Sequence, residues 1–233
     1  QLGQSVTADF FFTSAGFQGF SPTLVDRIRE LPEVEAVSGF RSGTFQVDGA
    51  TRQVGAVDGR AFAEIVDLDL VSGSLDGLAD DGLLVHEDPA RDFALAVGDT
   101  IEVQWRSGSR QSLTVVGVFA DATAINTNWL VDVSVFQREN PAGRLDTFAG
   151  AKLAAGVDLE QARDAIGAVV DDFPQIDLQD QAEFRRTQED QLSQLLRLVY
   201  GLLAFAVLIA VLGITNTLAL AVFERTHEFG LLR

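Results

Sequence analysis

Leu198-Val-Tyr-Gly-Leu-Leu-Ala-Phe-Ala-Val-Leu-Ile-Ala-Val-Leu-Gly-Ile-Thr-Asn-Thr-Leu-Ala-Leu-Ala-Val-Phe223 runs for 26 residues without an Asp, Glu, Lys or Arg. A helix rising about 1.5 Å per residue carries such a run about 39 Å, against a bilayer hydrocarbon core of about 30 Å. A helix buried in a water-soluble domain is shorter and apolar along one stripe. Here Leu202, Leu203, Phe205, Val207, Leu208, Ile209, Val211, Leu212 and Ile214 cover every face. The run reads as a membrane span, and its C-terminal position rules out a signal peptide. Thr215, Asn216 and Thr217 are its polar exceptions. An amide at membrane depth needs a protein partner, so Gly213, Asn216 and Thr217 are expected to pack against a neighbouring helix.

Upstream of the span the pattern turns amphipathic. Leu192, Leu195, Leu196 and Val199 fall at helical spacing, with Glu189, Asp190, Gln194 and Arg197 elsewhere. No Gly or Pro breaks the passage from Glu189 into the span. One continuous helix is expected, a stalk that becomes a membrane rod over 186–223, able to carry tilt or rotation between its ends.

The soluble part that precedes the span holds the whole formal charge of -17, since the two Arg and two Glu after Phe223 cancel. Such an acidic surface repels phosphate backbones, which disfavours nucleic acid as a partner. With no cysteine, disulfides and thiolate metal sites are excluded. The chain opens on Gln1, contains no Met, and stops at Arg233 within a charged–apolar pattern, so it reads as a segment of a longer polypeptide.

Two strand–helix–strand units bracket this soluble part. In the first, 5–12 is a strand and Gly16 to Phe20 an aromatic loop. Ser21-Pro22 opens a helix carrying Leu24, Ile28 and Leu31, which Pro32 ends, and Val34–Phe40 and Thr44–Val47 return as strands. In the second, Thr147–Leu153 is a strand and Asp158 with Gln161 caps a helix. Leu159, Ala162, Ile166, Val169 and Phe173 line one face of that helix, Pro174 ends it, and Gln175–Leu178 returns. Two such units on one sheet give an α+β, ferredoxin-like split arrangement, discontinuous over 1–59 and 146–185. Residues 60–145 then form a mainly β insertion. Its expected parts are a strand at Gly82–Glu87, a short helix from Asp88-Pro89 to about Leu95, a hairpin turning at Ser107-Gly108-Ser109, and a strand from Trp129 to Val135.

No catalytic or cofactor signature appears. His86 and His227 are the only histidines, and Lys152 the only lysine, so neither a zinc motif nor a P-loop can be built. Gly73-Ser74-Leu75-Asp76-Gly77 lacks nucleophile-elbow spacing. His86-Glu87-Asp88 reads as a strand end and helix cap, and Asp67, Asp69, Asp80 and Asp81 as solvated loop acids. Catalytic, metal and cofactor sites are accordingly expected to be none. Arg225 and Arg233 lie on one side of the span and Arg185, Arg186 and Arg197 on the other, so the positive-inside rule leaves orientation open.

Ile214-Thr215-Asn216-Thr217-Leu218 through Glu224-Arg225-Thr226-His227-Glu228-Phe229-Gly230-Leu231-Leu232-Arg233 resembles the signature after the second membrane helix of FtsX-like ABC-transporter permeases. His227 stands where Arg is usual and Phe229 where Ile is usual. Leu31-Pro32-Glu33-Val34-Glu35-Ala36-Val37-Ser38, then Gly82-Leu83-Leu84-Val85, Val97-Gly98-Asp99 and Val115-Val116-Gly117-Val118, resemble the MacB-like periplasmic core domain. The resemblance implies an extracytoplasmic domain with a porter-like part and a β-rich insertion, on the plasma membrane of a bacterium. It implies that 224–233 begins a cytoplasmic coupling segment, with Glu224, Arg225, Glu228, Leu231, Leu232 and Arg233 contacting a separate ABC ATPase subunit. Further partners implied are the lipid bilayer, other membrane helices of the permease or a second copy, and an extracytoplasmic protein. The alternative is a bitopic sensor, whose outer domain binds a ligand and whose helix signals to a cytoplasmic domain.

Overall fold

Short alternating stretches, each ended by a turn or cap, build ten strands and five named helices among the described residues up to Asp180 of the computed structural model. It describes residues 6–14, 19–122, 125–141, 143–187, 196–197 and 199–214. In order these elements are β1 (Phe10–Ser14), α1 (Thr23–Arg29), β2 (Val34–Val47), β3 (Ala50–Val57), α2 (Gly59–Ile65), β4 (Leu70–Gly73), β5 (Gly82–His86) and α3 (Glu87–Asp92). There follow β6 (Thr100–Trp105), β7 (Arg110–Phe119), β8 (Trp129–Asp132), α4 (Val133–Glu139), β9 (Phe148–Leu153), α5 (Leu159–Val170) and β10 (Ile176–Asp180). Contacts divide the chain into two units, 1–181 and 182–233.

Within the first unit, β10, β1, β9 and β2 lie side by side in that order, antiparallel at every contact. Phe10, Phe11 and Phe12 are all buried, which requires cover on both faces of this sheet. On one face Phe10 and Phe12 join Leu24 and Ile28 of α1 and Ala162 and Ile166 of α5. On the other, Phe11 meets Phe148, and α2 approaches closely enough that a Cβ at Gly150 would stand 3.2 Å from Ile65 Cδ1. Lys152 on β9 ties Glu35 of β2 to Glu64 of α2, at 3.3 and 3.2 Å.

Beyond Phe40 the strand β2 leaves β9 and enters a second system. It pairs with β3, β3 runs parallel to β8, β8 antiparallel to β5, and β5 parallel to β7. β7 pairs antiparallel with β6, which returns to β2 through Phe45↔Trp105 and Gln46↔Gln104. Six strands therefore close into a ring, with β4 added outside on β7. Phe45, Val54, Leu83, Val103, Trp105, Leu113, Trp129 and Val131 fill the inside. Phe45 sits edge-on to both tryptophans, at 5.6 and 5.7 Å between ring centroids. α4 stoppers the ring where it is most weakly paired. Phe136 packs on Trp105, and Glu139 and Arg138 hold Ser109 and Asp81.

Several expectations are corrected. The first strand begins at Phe10, with Val6 only bridging Val66. Val34–Phe40 and Thr44–Val47 are one unbroken strand, because Gly43 makes room for the Phe136 ring rather than breaking the chain. Asp48-Gly49 turns β2 into β3 with φ of +49° and +76°, the pairing of positive angles that a tight two-residue hairpin needs. Trp129 to Val135 is not one strand, because Asp132 accepts from Ser134 N at 2.8 Å and starts α4. The helix from Asp88-Pro89 starts at Glu87 and stops at Asp92. Leu159 is 43% exposed and lies off the buried face of α5, although Asp158 caps that helix through the N–H groups of Glu160 and Gln161.

In the second unit, residues 182–187, 196–197 and 199–214 are helical, and 199–214 is exposed along its length. Among the described residues, no helix is long and apolar enough to cross a membrane. The stalk positions Glu189, Asp190, Leu192, Gln194 and Leu195, and the end of the apolar run, lie outside the described residues, as do Gly16 and Phe17 of the aromatic loop.

Candidate functional site

Of the residues singled out from the sequence, Asn216, Thr217, Glu224, Arg225, Glu228, Leu231, Leu232 and Arg233 lie outside the described residues. Gly213 lies on the 199–214 helix, where a Cβ would meet nothing within 4 Å. His86 does cap a helix. Its Nδ1 accepts from Asp88 N at 3.2 Å, which puts the ring proton on Nε2, 3.0 Å from the Ala120 carbonyl it donates to. Among the described residues no group of His, Asp and Glu is placed to hold a metal ion.

Two shallow grooves mark the ring. One, of about 490 Å³, lies over Phe45 and Trp105 between Thr44, Gln46, Gln104 and Arg106. The other, of about 420 Å³, is bordered by Arg52, Asp88, Asp92, Phe93, Asn126 and Asn128. Arg52 stacks over Phe93 there at 5.7 Å. Among the described residues, neither brings a nucleophile to a base.

The most heavily built polar feature is where the four-stranded sheet meets the ring. Arg41, on β2 just past its last contact with β9, donates from Nε to Asp146 Oδ1 at 2.7 Å. Their side chains are 7% and 3% exposed. Asp146 is the point at which the chain returns from α4 towards β9. Its N–H donates to the Phe20 carbonyl at 2.9 Å and its carbonyl accepts from Phe20 N at 2.8 Å. Thr147 donates from both N and Oγ1 to the Phe40 carbonyl, at 2.8 and 3.0 Å. A Cβ on Gly39 would sit 2.6 Å from the Asp146 carboxylate, so glycine at that position leaves the room the acid fills. Arg41 Nη1 is buried and donates to no oxygen among the described residues. A buried donor left so costs about 1–3 kcal/mol.

Burial pushes the Asp146 carboxyl above its ordinary pKa, and the Arg41 bond and charge only partly oppose that. Asp26 raises it further and Arg29 lowers it. An acid whose folded pKa is raised adds stability below its unfolded pKa, and loses it as pH rises through the folded value. The gap in unfolding free energy between the native chain and Asp146→Asn is therefore expected to widen as pH falls from about 7 towards 4. Urea titrations across that range check this; a gap that narrows contradicts it.

Sequence reasoning missed this pair because 105 residues separate its members. The one local sign is an arginine inside a strand flanked by Phe40 and Phe45.

The family model of the MacB-like periplasmic core domain matches residues 2–169. The chain is similar in structure to the periplasmic region of MacB from Actinobacillus actinomycetemcomitans. The TM-score is 0.61 at 14% identity, covering 81% of this chain and 95% of that one. It is also similar to the extracellular domain of the noncanonic ABC-type transporter YknZ from Gram-positive bacteria. There the TM-score is 0.54 at 9% identity, covering 74% and 99%. At these identities the likeness is one of fold. Among curated protein sequences, none matches significantly.

Proposed function

The chain belongs to the family of MacB-like periplasmic core domains, and from that premise we infer that it is part of an ABC-transporter permease whose first unit stands outside the cytoplasm. The observation that carries this reading is the order of parts: a family domain over residues 2–169, then an uncharged run from Leu198 to Phe223. We read the antiparallel order β10-β1-β9-β2, with α1 and α5 on one face, as the ferredoxin-like porter part, and the ring as the β-rich insertion. The ring takes in β3 and β2 beyond Phe40, so the insertion begins earlier than residue 60.

In this account 186–223 is the stalk and membrane helix, with Gly213, Asn216 and Thr217 facing other helices of the permease or of a second copy. Residues 224–233 begin the cytoplasmic segment that docks on a separate ATPase. Glu224, Arg225, Glu228 and Arg233 fix the register of docking, and Leu231 and Leu232 anchor it. Closure of the ATPase moves this segment, the helix carries the motion through the bilayer, and the outer unit shifts. That motion exports a lipid, peptide or drug, or switches on an extracytoplasmic protein, in the plasma membrane of a bacterium. ATP hydrolysis belongs to the partner, since Lys152 is the only lysine and already lies between two glutamates.

Glu228→Lys in the full-length protein is expected to weaken binding of the ATPase at least tenfold while the outer unit stays folded. Pull-down of the reconstituted complex measures this; undiminished binding and ATPase stimulation remove Glu228 from the docking surface.

A further inference from the structure

We propose that the Arg41–Asp146 pair is a latch that fixes the angle between the four-stranded sheet and the six-stranded ring. The inference goes beyond the permease reading and does not rest on it. Strands carry the chain between the two substructures twice, while α2, between β3 and β4, packs back on the sheet against Gly150 and Lys152 of β9. It leaves the sheet inside β2, which pairs with β9 up to Phe40 and with β3 from Phe40 onward. It returns after α4 and rejoins the sheet at β9. Arg41 is the first residue of β2 past the outward crossing, and Asp146 lies two residues before β9 on the way back.

The ion pair therefore ties the two strand crossings to each other. The Phe20–Asp146 backbone bonds fasten the return strand to the segment entering α1, and the Thr147–Phe40 bonds fasten it to β2.

A strand shared by two sheets can bend or twist at its crossing. Apolar packing resists that weakly, because contact area is insensitive to small rotations, whereas a buried charged hydrogen bond is directional. Burial of an ion pair is poor evidence of a stabilising role. Substituting both members by apolar residues is often neutral or favourable, while loss of one leaves an uncompensated charge. The feature that a buried pair supplies and an apolar pair does not is a fixed geometry. At this site that geometry is the setting of the ring on the sheet.

The absence of native cysteine allows a direct reading. Spin labels at Glu102→Cys on β6 and Ala168→Cys on α5, both exposed positions, report the distance between ring and sheet. In the labelled 233-residue chain, pulsed dipolar spectroscopy is expected to give one narrow distribution. In R41L/D146L the distribution is expected to at least double in width or split, with the unfolding midpoint preserved. A folded R41L/D146L with the same narrow distribution overturns the latch. Should that variant not fold, R41K carries the test. Lysine keeps the charge but not the Nε geometry, so widening is expected, and an unchanged width overturns the proposal.

Discussion

Phe136→Ala is expected to destabilise the ring by about 3–5 kcal/mol, the range for deleting a fully buried aromatic whose surroundings relax only in part. Phe136 is 1% exposed and reaches from α4 into the place where β2 and β6 share just two residue pairs. Its ring packs on Trp105 at 6.0 Å, and Trp105 in turn packs on Phe45. Gly43 of β2 stands directly against the Phe136 ring and has no side chain with which to fill the void.

Both tryptophans of the chain lie in the ring core, so intrinsic fluorescence during urea unfolding reports on this substructure. A midpoint within experimental error of the native one would contradict the stopper role. Gly43→Ala provides a coupled check. A Cβ there would stand 2.4 Å from Phe136 Cε2, so the substitution is destabilising in the native chain and milder in the Phe136→Ala background. That is the non-additivity expected of two groups contending for one space.

Two glycines inserted between Gln194 and Leu196 are expected to abolish coupling between the ATPase and the outer unit. Each glycine costs a helix interior about 1 kcal/mol relative to alanine. If the proposed stalk helix forms and survives the insertion, two added residues rotate everything beyond by about 200°, at about 100° per residue. Leu192 would then no longer share a face with Leu196 and Val199. Either outcome breaks a rigid lever. In the reconstituted permease–ATPase complex, the dependence of ATP hydrolysis on the outer unit should vanish while the unit remains folded. Full coupling after the insertion would show that motion reaches the outside by another route.

The parts of the fold legible in the sequence were those whose signals are local. Asp158 announced α5, Ser107-Gly108-Ser109 announced the β6–β7 hairpin, and Ala162, Ile166 and Val169 announced a buried helical face. Asp48-Gly49 is an equally local hairpin signal, and β3, which it leads into, has no counterpart among the expected strands. Gly43 lies between the two expected strands Val34–Phe40 and Thr44–Val47, and a glycine admitting an aromatic ring has the same appearance in sequence as one ending a strand. Closure of the ring was not legible at all. It depends on two residue pairs between β2 and β6, more than fifty positions apart, and no periodicity records them. The Arg41–Asp146 pair is of the same kind. Burial of both charges follows only once the outward and returning segments are brought side by side.

Sidedness of the membrane is the most direct test of the central claim, that the acidic first unit and the Glu224–Arg233 tail lie on opposite sides of a bilayer. With no native cysteine in this chain, Glu102→Cys and Thr226→Cys can be probed singly in intact cells with a membrane-impermeant maleimide, after stripping any outer wall or outer membrane. Cys at position 102 is expected to label at once, and at position 226 only after the membrane is permeabilised. Labelling of both positions from the outside, or of neither, would contradict the account.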